Sequence, residues 1–216
     1  KAEKELYLFV SEYFGKENTF FVMNVDPSKV KVPEGFNHII FNHETILSSK
    51  ELFWPKDVAW RCGDYCYYAL HHALSGYSYV WLVESDVMLC CDQAETFFSE
   101  FEEKDADFIA NGFGKAHEKL PFYPTAKVLE SEPMSCLFGI TRMNPALIPK
   151  LLVTREKLSE KFYKEKIPHK LYPNDEIFVS TVATRLGLRC APLDKFSSFN
   201  FLMFSVDPNT YFLEQD

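Results

Sequence analysis

Short apolar runs separated by stretches of helical period constrain this chain more than any other feature. Residues 19–25 (TFFVMNV), 37–42 (NHIIFN), 78–83 (SYVWLV), 106–111 (ADFIAN), 136–141 (CLFGIT) and 188–192 (LRCAP) each read as a buried strand. Between them, 63–74 places Tyr67, Leu70, His71 and Leu74 on one side of a helix, and 93–104 does the same with Ala94, Phe97, Phe98 and Phe101. Residues 175–186 repeat the pattern with Ile177, Val179, Val182, Ala183 and Leu186, and 145–166 hold one or two further helices. Residues 3–14 fit a helix through Leu6, Phe9, Val10, Tyr13 and Phe14, with a strand through Leu6, Leu8 and Val10 as its rival. Residues 43–58 read as loop, broken at Pro55, and 112–134 as one long loop. Strand–helix alternation through the first half predicts an α/β domain built on a mainly parallel sheet flanked by helices.

Length and composition suit one such domain over residues 1–216: the chain is long enough for a substantial core and short for two. With 47% hydrophobic and 16% aromatic residues it is not a disordered chain. A net charge of −8 without any Lys/Arg block argues against a nucleic-acid-binding face. An acidic protein can still hold a phosphorylated ligand where a metal ion or local basic groups offset the repulsion. No run approaches the ~18 apolar residues of a spanning helix, and no signal segment opens the chain. The start at Lys1-Ala2-Glu3-Lys4, without Met, suits a trimmed or processed chain. Cys62, Cys66, Cys90, Cys91, Cys136 and Cys190 form no CxxC pair and several lie in apolar runs. Free thiols in a reducing, cytoplasmic compartment are expected, with the lumenal domain of a secretory-pathway enzyme as the alternative.

Two acids interrupt the strand pattern. Glu84 and Asp86 follow the run 78–83 and share one side if the chain is still extended there. Ligands of open α/β sheets bind beyond the carboxyl ends of strands. Two hard oxygen donors at that edge suit Mg²⁺ or Mn²⁺, whose shell is completed by water and substrate phosphate. The competing reading makes Glu84-Ser85-Asp86 a polar turn. A second acidic cluster, Asn174-Asp175-Glu176, opens the helix at 175–186, where capping and catalysis are compatible roles. Arg61 is suited to a phosphate and Asp64 to a ribose or base, against an ordinary ion pair and a helix-start carboxylate. Phe113, Phe122 and Tyr123 in the long loop could stack on a sugar ring or simply pack. His169 is a weak candidate for a further metal ligand, a solvated loop histidine being its plainer role.

YSYVWLVESDV, residues 77–87, resembles the core of GT-A fold glycosyltransferases, where an aromatic-rich strand runs into a D-x-D motif. Here Glu84 replaces the first Asp. YPNDEIFVSTVATRLGLRCAPL, residues 172–193, is similar to the segment carrying the catalytic acid in inverting branching N-acetylglucosaminyltransferases. The resemblance implies a GT-A-like, Rossmann-like domain that moves a sugar from a nucleotide-sugar donor to a hydroxyl of a glycan or glycolipid acceptor. It implies Glu176 as general base with Asp175 beside it, Glu84 and Asp86 as metal ligands, and Arg61, Asp64, Ser85, Asn111 and Gly112 among the donor-binding residues. The branching family works without metal, so the two resemblances differ on the cofactor; Mn²⁺ or Mg²⁺ is the expectation. It also implies a nucleotide-binding strand before the first helix, which would lie upstream if residues 3–14 are helical. The alternatives are a nucleotidyltransferase, against which stands the lack of a Gly-rich phosphate loop, and a non-catalytic glycan- or protein-binding module.

Overall fold

The computed structural model describes residues 2–30, 32, 34–46, 51–74, 76–129 and 132–199. Helix α1 (Ala2–Phe14) carries Glu3 and Glu5 in its first turn, where negative charge complements the helix dipole, and ends before Gly15 at φ 81°. The helical reading of 3–14 therefore holds over its rival. Strands β1 (Phe21–Asn24) and β2 (His38–Phe41) follow as a parallel pair, Phe21 opposite His38. Two short helices, α2 (Val58–Arg61) and α3 (Tyr65–Leu70), lead to β3 (Val80–Val83). Helix α4 (Ala94–Phe98), β4 (Phe108–Lys115), β5 (Met134–Met143), α5 (Ile148–Glu165), α6 (Asp175–Arg185) and β6 (Cys190–Pro192) complete the order.

The molecule is α/β, as expected, but its described strands form two sheets. Strands β1 and β2 pair alone; the other four run in the order β3-β5-β4-β6. Strand β5 is antiparallel to both its neighbours, and β4 and β6 are parallel. Strands β3, β4 and β6 thus share one direction, with β5 reversed between them. The run 136–141 carried no mark of direction, which comes from where the chain enters the sheet. The long loop expected at 112–134 is also shorter: β4 continues to Lys115, and a 3-10 segment spans Tyr123–Leu129. Residues 200–216, with most of the C-terminal aromatic run, lie outside the described residues.

Side chains of the four-stranded sheet alternate between two cores. Val80 and Leu82 pack on the cluster containing α3, α5 and α6; Trp81 and Val83 pack on the cluster containing α4, joined by Phe9, Val10, Tyr13 and Phe14 of α1. In β5 the alternation breaks. Phe138 and Ile140, two residues apart, belong to opposite clusters. The register jumps at the same place: Ala110 faces Thr141 and Asn111 faces Leu137. An irregularity of this kind bends a strand and re-aims its neighbours. Gly139 sits at the break, beside the end of β3.

Candidate functional site

The break in β5 makes a corner for Glu84. The Glu84 N–H donates to the Gly139 carbonyl at 2.8 Å, extending the β3–β5 ladder by one residue beyond Val83. The side chain enters a space bounded by two glycines. A Cβ on Gly63 would stand 3.4 Å from Glu84 Oε1, and a Cβ on Gly139 would stand 3.6 Å from Glu84 Oε2. Both glycines thus matter for close approach. Among the described residues the Glu84 carboxylate has neither hydrogen-bond donor nor cation partner. Burial, then the charges of Asp86 and Glu176, push its pKa up from 4.5 to about 6. Ser85 and Asp86 are exposed at the rim.

The opposing wall is the start of α6. Asn174 is its N-cap, its Oδ1 accepting the Ile177 N–H at 3.2 Å. The Asn174 amide donates to Glu176 Oε2 at 2.9 Å. Asp175 is buried and straps two elements together: Oδ1 accepts the Glu176 N–H and Oδ2 the Gly63 N–H, each at 2.7 Å. Burial and then the Asp64 charge hold Asp175 well above the usual carboxylate range, with the Gly63 N–H acting against them. Burial also raises Glu176, while the Asn174 amide and the Phe138 backbone pull it back. The segments 84–86 and 174–176 therefore meet across Gly63.

Arg61 and Asp64 lie close to this corner but are engaged within the protein. Arg61 Nε and Nη2 donate to Asp57, and Nη1 donates to the Tyr172 carbonyl at 3.0 Å. Asp64 is 0% exposed. Its carboxylate takes Arg155 Nε at 2.8 Å, Arg155 Nη2 at 2.9 Å and the Tyr68 hydroxyl at 2.6 Å. Direct donor contact by either residue, expected from sequence, is replaced by an internal role, because both have their polar atoms occupied from the protein side. Asn111 and Gly112 occur at the irregular end of β4, on the far side of β5 from β3, with Gly112 at φ 61°. Of the aromatic residues, Phe122 packs edge-on to Trp60 at 5.1 Å and under the Arg61 guanidinium, and Phe113 packs on Phe108. His169 packs against Phe53, its ring centre 5.1 Å from the Phe53 ring. The six cysteines are unpaired.

A cleft of about 670 Å³ opens at the carboxyl ends of β1 and β2. It is lined by Asn24 at the end of β1 with Val25 and Asp26 after it, Asn42, His43 and Glu44 after β2, and Trp54 with residues 56–60. Neither Glu84 nor Asp86 lines it. Trp60 at its mouth is 66% exposed. Two residues, Arg61 and Cys62, separate Trp60 from Gly63, so the cleft and the corner are at most ~11 Å apart along the chain.

Gly63, Gly139, Arg155 and Trp60 escaped sequence reasoning. Gly139 had a signal: a lone glycine within an apolar strand run marks a bulge or a close approach. Arg155, in a strongly charged helical stretch, had none.

No matching family model, curated protein or solved structure is found for this chain. Among the described residues no helix is long and apolar enough to cross a membrane.

Proposed function

We propose that the protein is a glycosyltransferase that moves a sugar from a nucleotide-sugar donor to a hydroxyl of a glycan or glycolipid. One observation carries this reading: the Glu84-Ser85-Asp86 turn and the Asn174-Asp175-Glu176 helix start, some ninety residues apart in sequence, converge on one corner at the carboxyl edge of the sheet. That edge is where α/β sheets bind ligands.

Glu84 and Asp86 fit a divalent cation. Glu84 offers an unpartnered, half-buried carboxylate whose pKa is raised first by burial and then by the charges of Asp86 and Glu176. Among the described residues no three His, Cys, Asp or Glu side chains gather into a metal cage. Two carboxylates with water and phosphate completing the shell suit Mg²⁺ or Mn²⁺. The bound ion would offset the charge of the departing nucleoside diphosphate. The cleft over β1 and β2 suits the nucleoside. Along its walls Asp26 is paired with Lys29 and Asp57 with Arg61, which leaves Glu44 against Lys56. The lining thus gathers no cluster of free cations for a phosphate, and exposed Trp60 offers a ring an aromatic face.

Glu176 takes the proton of the acceptor hydroxyl as its oxygen bonds to the anomeric carbon and the bond to the diphosphate breaks. An elevated pKa brings a carboxylate closer to the acceptor proton it must take. Asp175, with both oxygens engaged by backbone N–H groups, holds the helix start in place. In-line attack of this kind inverts the anomeric centre. The test is release of UDP or GDP from UDP- and GDP-sugars, and of CMP from CMP-sugars, each offered with a glycan mixture. Glu176→Gln is expected to lose at least 10²-fold in turnover while keeping donor affinity. Donor binding without turnover in the wild type would instead make the protein a binding module.

A further inference from the structure

Segment 172–176 is gripped by Arg155 and Arg61 from within the protein and by Gly63 from the wall of the corner. Arg155 Nη1 donates to the Pro173 carbonyl at 2.9 Å, Arg61 Nη1 to the Tyr172 carbonyl, and the Gly63 N–H to Asp175. Arg155 is fully buried on α5. Its other nitrogens are locked on Asp64, and its guanidinium carbon lies 3.7 Å from the Phe178 ring centre. All three nitrogens of the planar fork are thereby engaged, a geometry that a lysine could not reproduce. A buried ion pair adds little net stability over an apolar pair of the same volume, so stability alone is a weak reason for this one. Its geometric product is a fixed Pro173 carbonyl one residue before the N-cap of α6.

We propose that Arg155, oriented by Asp64, is a positioning residue that aims the Glu176 carboxylate at the corner shared with Glu84. Arg155 sets Pro173, Pro173 sets Asn174, and the Asn174 amide holds Glu176. This rests on the proposed function for the role of Glu176 as base; the clamp itself rests on geometry.

The experiment compares wild type with Asp64→Leu/Arg155→Met, which removes both charges and leaves no buried ion unpaired, and with Arg155→Lys, which keeps the charge without the fork. Two quantities are read: kcat against donor KM, and the ¹³C carboxyl resonance of Glu176 at fixed pH. Expected for both variants are cooperative unfolding, a kcat lowered on the order of 10²-fold by misplacement of the base, and a donor KM within about twofold of wild type. The Glu176 resonance should move to that of a freely solvated glutamate. Unchanged kcat, or a rise in KM that accounts for the loss, would overturn the proposal. If the wild type turns over no donor, the glycosyltransferase reading fails by itself and the resonance still decides: an unmoved Glu176 signal refutes the clamp.

Discussion

The corner at Glu84 and the cleft over β1 and β2 both lie at carboxyl ends of strands, yet they are filled in opposite ways. At the corner, Asp175 and Glu176 have named donors, as does Asp64 behind them, and Gly63 and Gly139 approach the Glu84 carboxylate closely. In the cleft, about 670 Å³ stays open and Trp60 stands largely exposed. Crowded, preorganised groups are what a chemical step needs, because they do not reorganise as charge develops. An open, mixed wall is what ligand entry needs. Residues 57–64 join the two, forming part of the cleft wall at one end and part of the corner at the other.

If that contrast is right, substitutions in the corner change stability and those in the cleft do not. The largest effect is expected for Arg155→Met alone, which strands the Asp64 carboxylate in the core. It should cost about 3–5 kcal/mol in denaturant unfolding, most of it recovered in Asp64→Leu/Arg155→Met. Gly63→Ala comes next. Its Cβ would fall 2.7 Å from Asp175 Oδ2 and 3.2 Å from Phe138 Cδ1, so roughly 1–3 kcal/mol should be lost. Gly114→Ala is the control, since a Cβ there meets nothing within 4 Å. Glu84→Gln should act the other way. The folded protein keeps the Glu84 proton up to about pH 6, whereas the unfolded chain releases it near 4.5. The stability from this group is therefore full below pH 4.5 and lost as pH rises through 6. Thermal melts should show that slope in the wild type and lose it in Glu84→Gln, which should gain about 1 kcal/mol at pH 7. Smallest is Trp60→Ala, expected to stay within about 0.5 kcal/mol of wild type while weakening donor binding.

Much of this architecture was legible in the sequence, and the losses have identifiable causes. Each of the six apolar runs contains or adjoins a strand, because burial on both faces leaves a continuous apolar stretch. The reversal of β5 and the split into two sheets were not legible, since pairing direction depends on contacts distant in sequence. The acids at 84–86 and 174–176 stood out as polar residues at element ends, and the structure brings the two segments together. Arg61 and Asp64 attracted attention for their chemistry; each has one partner four residues away, Asp57 and Tyr68, but their other partners, Tyr172 and Arg155, come from segments ninety or more residues away. Composition around either residue carries no trace of that. Glu84 depends on absent side chains, at Gly63 and Gly139, and only the second sat in a context that flagged it.

Donor-dependent thermal stabilisation with and without Mn²⁺, on wild type and on Asp86→Ala, tests the central claim most directly. A ligand that binds only the folded state raises the melting temperature by mass action. One nucleotide-sugar should raise that of the wild type, more strongly with Mn²⁺, and the Mn²⁺-dependent part should vanish in Asp86→Ala. The absence of any shift with UDP-, GDP- or CMP-sugars, with or without Mn²⁺, would contradict the assignment of this corner and cleft to a nucleotide-sugar.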